Sequence, residues 1–208
     1  MAVDYSLYLV ADADFAAGRD LAALVEAAVQ GGVTVVQLRA KHLADGAFVE
    51  LGLEIAKRLK KTGVPLLIND RLDVALACGA VGIHLGQEDL PVPVARRLLG
   101  PDAPIGVSVN TPEEARRAER KGADYVGAGP AYPTATKEIS FPVLGPEGIR
   151  LIAGATRLPV VAIGGIVAEN AGDLASAGAR GIAVISAILG APDAQRAAEE
   201  LKRAFIGR

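Results

Sequence analysis

A short β-branched or apolar run, a turn, an amphipathic stretch and a glycine recur along this chain from one end to the other. This alternation constrains the fold more than any other feature, because strands separated by helix-length stretches pair in parallel through crossovers and not as hairpins. Strands are expected near Leu7–Ala11, Val33–Arg39, Pro65–Asn69, Gly82–Leu85, Ile105–Val109, Tyr125–Gly129, Val160–Ile163 and Gly181–Ile185. Eight strands close a barrel, so the expected fold class is α/β, a single (β/α)8 TIM barrel spanning 1–208 as one domain. At 208 residues the chain is at the short end for that architecture.

Between the strands, Leu21, Leu24, Val25, Ala28 and Val29 follow a helical apolar stripe, as do Phe48, Leu51, Gly52, Ile55 and Leu59. Both segments should pack against the outside of the barrel. Thr111-Pro112-Glu113-Glu114 combines an N-cap, a first-turn proline and a Glu three residues after the cap, the signature of a capping box. Gly31-Gly32, Gly79-Ala80, Gly122-Ala123 and Gly178-Ala179 each precede a strand, as left-handed C-cap residues do. Only the connection from Pro130 to Leu144 is long.

Composition narrows the function classes. Lys and Arg total 22 against 24 Asp and Glu, a formal charge of -2, so no overall field favours nucleic acid or an anionic membrane. The N-terminus lacks a signal-peptide pattern and no apolar run approaches the ~18 residues of a membrane helix, so a cytoplasmic protein is expected. Cys78, the one cysteine, falls in an Ala/Leu-rich helical stretch and reads as an inert buried thiol. A homo-oligomer is compatible with this composition.

In βα barrels the working groups sit at the C-terminal ends of the strands. Alternation puts Val33, Val35, Gln37, Arg39 and Lys41 on one side of the second strand, with polarity only at its far end. Two cations over a barrel mouth suit a diphosphate; the plainer reading is that both side chains snorkel to solvent. The third strand ends Asn69-Asp70 and the fourth is followed by Gln87-Glu88-Asp89. On neighbouring strands Asp70 and Asp89 could share a Mg2+ ion with substrate phosphate, or either could cap the helix that follows. His84, without partners at ligand spacing, reads as structural.

Ser108 places a hydroxyl at the end of the fifth strand, and the long sixth loop carries Thr134, Ala135, Thr136 and Lys137. That loop can fold over an anion, or be an ordinary rigid surface loop with an exposed lysine. Gly164-Gly165 after the seventh strand and Ile185-Ser186 after the eighth suit a phosphate, because glycine lets backbone approach and a helix start presents free N–H groups. The residues thus outline two anion pockets, one cationic and one neutral, as for two small phosphorylated substrates.

Val36-Gln37-Leu38-Arg39-Ala40-Lys41, Ile68-Asn69-Asp70-Arg71, His84-Leu85-Gly86-Gln87-Glu88-Asp89-Leu90, Pro133-Thr134-Ala135-Thr136-Lys137 and Ile163-Gly164-Gly165-Ile166, in this order, resemble thiamine-phosphate synthase. The resemblance implies a transferase that joins a hydroxymethylpyrimidine diphosphate to a thiazole phosphate, releasing diphosphate with the help of Mg2+. It implies that Gln37, Leu38, Arg39, Ala40, Lys41, Asn69, Ser108 and Lys137 hold the pyrimidine diphosphate. Arg39, Lys41, Lys137 and Ser108 would carry catalysis, and Asp70 and Asp89 would bind the metal. Thr134, Ala135, Thr136, Gly165, Ile185 and Ser186 would hold the thiazole phosphate.

The resemblance further implies ionisation to a pyrimidinylmethyl cation that the thiazole nitrogen captures, and the residues agree, since no activated nucleophile or general base stands out. Asn110 stands where relatives often have His, and Glu138-Ile139-Ser140 departs from the commoner acidic-then-small pattern. Two other readings remain: a thiazole tautomerase on a related barrel, which needs no diphosphate clamp, and a noncatalytic phosphate-ligand binding protein.

Overall fold

The computed structural model describes residues 3–134 and 141–207. Its strands are β1 (Leu7–Asp12), β2 (Val35–Arg39), β3 (Leu66–Asn69), β4 (Gly82–Leu85), β5 (Ile105–Val109), β6 (Tyr125–Ala128), β7 (Val160–Ile163) and β8 (Gly181–Val184). Neighbours in sequence pair in parallel, and β1 closes on β8 through Leu7–Ile182, Tyr8–Ala183 and Leu9–Val184. The result is the expected closed (β/α)8 barrel, which leaves no free sheet edge. Among the described residues no helix is long and apolar enough to cross a membrane.

The outer layer consists of α1 (Leu21–Gln30), α2 (Asp45–Leu59), α3 (Leu72–Cys78), α4 (Val92–Leu99), α5 (Pro112–Arg120), α6 (Gly145–Ala153), α7 (Ala168–Ser176), the single turn α8 (Ser186–Leu189) and α9 (Ala194–Ile206). The stripes put Leu21, Val25 and Ala28 of α1 and Phe48, Gly52, Ile55 and Leu59 of α2 in the core, while Leu24, Val29 and Leu51 lie at its margin. A buried Phe or Ile contributes about 1.5–3 kcal/mol relative to exposure, so each stripe is sufficient to dock its helix. Gly52 is required by a neighbour: a Cβ there would stand 3.0 Å from Cys78 Sγ, and Cys78 is itself buried with its thiol pushed up by desolvation.

Local signals are realised with one difference. Thr111 Oγ1 accepts from Glu114 N at 3.2 Å, but the Glu114 carboxylate returns to Asn110 N at 2.6 Å, one residue before the cap. The turn between β5 and α5 is therefore tied at both of its residues. Gly32, Gly79, Gly122 and Gly178 all have positive φ, which lets the chain reverse from helix into strand.

Strand alternation separates two cores. Leu7, Leu9, Val36, Leu38, Leu66, Ile68, Ile83, Leu85, Ile105, Val107, Val126 and Ile182 face the helices. Tyr5, Tyr8, Val10, Val35, Leu67, Tyr125, Val161 and Ala183 fill the barrel interior. Val33, expected on the inward side of the second strand, packs in the outer layer, because β2 begins only at Val35, after the turn at Gly32. Strands β6 and β8 stop one residue short of expectation, whereas β1 runs one residue further, to Asp12. Continuing each inward series toward the C-terminal ends gives Asp12, Gln37, Arg39, Asn69, His84 and Ser108 on one rim.

Candidate active site

Asp12 is opposite Arg39 in the β1–β2 register, and the Arg39 guanidinium is ion-paired to its carboxylate. Asp12 is also a hub for the backbone, its Oδ1 accepting from Asp14 N and Phe15 N at 3.0 Å each. Sequence reasoning did not single it out; the signal was there in the alternation, Tyr8-Val10-Asp12, read one residue beyond the expected strand end. Next to this pair, Gln37 Nε2 donates to Asn69 Oδ1 at 2.9 Å, which fixes both amides at the mouth.

The predicted Lys41 and Asp70 are bonded to each other, Nζ against Oδ2, while the Lys41 backbone N–H donates to Asp14 Oδ2 at 2.9 Å. Two groups expected to bind a diphosphate and a metal thus neutralise one another, as neighbouring charges of opposite sign do. Asp70 has φ +60°, alone among the described non-glycine residues in that region. Its carboxylate does not cap α3: the N-cap is Arg71, which makes no side-chain cap bond. Nor does Asp89 cap α4, whose N-cap is Pro91; Asp89 Oδ2 instead accepts from Gly86 N at 2.6 Å within the preceding turn.

The carboxyls of Asp70 and Asp89 meet. Burial first, and then a hydrogen bond with Asp70, push Asp89 above its usual carboxylate range. Two neighbouring carboxyls, one of them disfavoured as an anion, mark a place where a hard cation would be at home. Among the described residues no group of three or more His, Cys, Asp or Glu converges as a metal cage. Two carboxylates suit Mg2+, which keeps waters and takes substrate phosphate oxygens for its other positions.

Ser108 Oγ stands 2.9 Å from His84 Nε2, and the Ser108 carbonyl accepts from Gln87 Nε2 at 2.5 Å. Leu38 is brought to the region only by its backbone: its side chain is fully buried among the outward-facing residues. Ala40 is half-buried between the two cations.

On the opposite side of the mouth, Thr134, Gly164, Gly165, Ile185 and Ser186 line a small cleft with Ile163, Ile166, Ala183 and Val184. The sixth and seventh loops are laced together, Ala131 N to Ile163 O at 2.8 Å and Tyr132 N to Gly164 O at 3.0 Å. Gly165, at φ +63°, lies so close beneath Pro133 O and Tyr132 that a Cβ would collide with both. Among the described residues no charged side chain lines this cleft, in contrast to the Arg39 side. The predicted Ala135, Thr136 and Lys137 lie outside the described residues.

The family model for thiamine monophosphate synthase matches residues 7–188. The thiamine-phosphate synthase of Syntrophomonas wolfei is 50% identical over 200 residues, 96% of either chain. That of Chloroflexus aurantiacus is 48% identical, covering 96% of this chain and 92% of its own. Among solved structures, thiamine phosphate pyrophosphorylase from Pyrococcus furiosus superposes with a TM-score of 0.87 at 39% identity, covering 98% of this chain and 96% of the other. With a barrel of this topology and a match that runs through both halves of the mouth, the chain belongs to the thiamine monophosphate synthase family.

Proposed function

We propose that the chain is a transferase that joins 4-amino-2-methyl-5-(diphosphooxymethyl)pyrimidine to 4-methyl-5-(2-phosphooxyethyl)thiazole, forming thiamine phosphate and diphosphate. The observation that carries this reading is the division of one barrel mouth into two unlike halves. A cationic and carboxylate cluster, Arg39, Lys41, Asp70 and Asp89, faces a neutral, glycine-lined cleft at Gly164, Gly165, Ile185 and Ser186. The first suits a diphosphate, the second a monoester phosphate held by backbone N–H groups.

In this reading Asp70 and Asp89 hold Mg2+, which would supply Lewis-acid neutralisation of the departing diphosphate. Lys41 exchanges Asp70 for a phosphate oxygen, so that binding replaces one ion pair with others and strands no charge. Arg39, aimed by Asp12, and Lys137 accept the remaining charge, while Gln37, Asn69 and Ser108 orient the pyrimidine. The C–O bond to the diphosphate breaks and the thiazole nitrogen supplies the electron pair for the new C–N bond. No side chain has to act as nucleophile; stabilisation of the leaving group is the main catalytic contribution.

A tautomerase would leave the Arg39–Lys41–Asp70–Asp89 cluster without a task, and a noncatalytic binder would have no use for two cofacing subsites. A cytoplasmic location fits the free, buried Cys78. Purified protein incubated with both substrates and Mg2+ should yield thiamine phosphate, and one diphosphate for each, by chromatography and mass spectrometry. Folded protein that forms no product in that mixture would refute the assignment.

A further inference from the structure

Below the mouth, the barrel axis carries a continuous chain of hydrogen bonds. The hydroxyls of Tyr8 on β1 and Tyr125 on β6 lie 2.8 Å apart. The Tyr125 hydroxyl lies 2.9 Å from His84 Nδ1, and His84 Nε2 lies 2.9 Å from Ser108 Oγ. Tyr8 and Tyr125 are 1% and 0% exposed, at the barrel's centre, whereas Ser108 reaches the rim. Space for this chain is cut by glycines at inward positions of the two adjacent strands. A Cβ on Gly106 would stand 2.0 Å from Tyr125 Cζ, overlapping the ring, and one on Gly127 would stand 3.0 Å from His84 Cε1.

Counting protons fixes the direction of the chain. Each hydroxyl has one proton, and so does a neutral imidazole. Running upward, Tyr8 donates to Tyr125, Tyr125 to His84 Nδ1, and His84 Nε2–H to Ser108 Oγ. The Ser108 proton then points into the mouth. Running downward, Ser108 donates to Nε2, Nδ1–H to Tyr125, and Tyr125 to Tyr8. The Tyr8 proton is then stranded, because among the described residues its hydroxyl has no partner other than Tyr125.

An imidazolium, donating from both nitrogens, would strand the same proton. Orphaning a buried donor favours the upward direction by roughly tenfold or more. Desolvation keeps both phenols protonated, with their ionisation raised far above the ordinary range.

We infer that His84 is a positioning residue, held by the Tyr8–Tyr125 ladder as the Nε2–H tautomer so that the Ser108 hydroxyl proton is directed to an acceptor atom of the pyrimidine substrate. This polarity discriminates. A ligand presenting an acceptor, such as a ring nitrogen or a phosphate oxygen, takes the Ser108 proton; one presenting a donor reaches only the hydroxyl's remaining lone pair and leaves that proton without a partner. The inference rests on the proposed function for the identity of the ligand, but not for the direction of the chain.

The chain has two histidines, and His42 is exposed beside Asp14, so a His42→Asn protein leaves His84 as its one imidazole. Nitrogen-15 shifts of that ring should show a bare Nδ1 and a protonated Nε2. A protonated Nδ1, alone or together with Nε2, overturns the inference.

A double-mutant cycle tests the positioning role. His84→Phe should lower kcat/KM for the pyrimidine diphosphate by roughly tenfold with Ser108 present, and by less than about twofold in a Ser108→Ala background. Equal losses in both backgrounds also overturn it. Should His84→Phe fail to fold, the tautomer decides alone. Wild-type protein that makes no thiamine phosphate removes the proposed function, while the ring shifts still decide the direction of the chain.

Discussion

Arg39 is held by Asp12, the last residue of β2 against the last residue of β1, with the Asp12 side chain 3% exposed and that of Arg39 20%. A guanidinium at a barrel mouth would otherwise sweep through many rotamers, and the ion pair removes that freedom before any ligand arrives. The same carboxylate turns the chain out of β1 through its bonds to Asp14 N and Phe15 N.

Two variants separate these roles. Asp12→Ala leaves a partly buried cation and two backbone donors without partners and should cost about 2–3 kcal/mol, lowering the melting temperature by roughly 4–12 °C. Asp12→Asn keeps an acceptor for the two amides and should melt closer to wild type. Both should raise KM for the pyrimidine diphosphate, about tenfold or more, by releasing Arg39. An Asp12→Asn enzyme with wild-type KM would show that Arg39 needs no such support.

The backbone beside Asp70 is tied by Arg71, which grips Asp73 through Nε at 2.9 Å and Nη2 at 2.6 Å and reaches Asp45 through Nη1 at 2.8 Å. The Arg71 hydrogen bonds hold Asp73 down at about 2, and Asp45 also below its ordinary value. A carboxylate whose folded pKa is depressed adds stability that is complete above its unfolded value and lost as pH falls through the folded one. The window therefore opens near 3.8 and closes near 2. In thermal melts across that window, Arg71→Met should lose less stability than wild type on acidification, while being slightly less stable above it. Parallel acid profiles for the two proteins would refute the clamp. The groups are exposed, so the effect is small at high salt.

Gly165 is where the second pocket is most sensitive. Its φ of +63° is costly for an L-residue by roughly 1–2 kcal/mol, and its Cβ would strike Pro133 O and Tyr132. Gly165→Ala must therefore move the sixth loop away from the seventh, separating Thr134 from Ile185 and Ser186. The expected outcome in steady-state kinetics is a raised KM for the thiazole phosphate with KM for the pyrimidine diphosphate within about twofold of wild type. A change confined to the pyrimidine diphosphate would mean that the two pockets have been assigned the wrong way round.

The barrel was legible because two periodicities coincide with it: β-branched runs alternate at period two, and glycines mark where each helix ends. Gln37, Arg39, Asn69 and Ser108 were legible for the same reason, as polar residues at the ends of inward-facing series. What the sequence withheld depends on register between strands. Asp12 reads as the first polar residue of a turn until its alignment with Arg39 is known. The bond between Lys41 and Asp70, 29 residues apart, is a property of adjacent strand ends and of no local motif. Leu38 illustrates the converse: it belongs to the motif, but alternation turns its side chain toward the helices. Tyr8 and Tyr125 carry no sequence signal, since an aromatic at an apolar strand position is ordinarily core.

Asp70 combines a role in the backbone with a role in chemistry, and the two can be separated. Its φ of +60° would be strained for most residues, but Asn tolerates that region as well as Asp does. Asp70→Asn therefore preserves the turn out of β3. It removes an ion pair with Lys41, whose side chain is 47% exposed, an interaction of at most about 1 kcal/mol, and it relieves the like-charge contact with Asp89. The melting temperature should stay within a few degrees of wild type. If Asp70 and Asp89 grip Mg2+ against the diphosphate, kcat should fall by roughly a hundredfold or more and the concentration of Mg2+ for half-maximal rate should rise. Asp70→Ala, which cannot relieve the strain as Asn does, should show the same kinetic loss with a lower melting temperature. Turnover kept in the Asn variant together with a large fall in stability would make Asp70 a structural residue and move the metal site elsewhere on the rim.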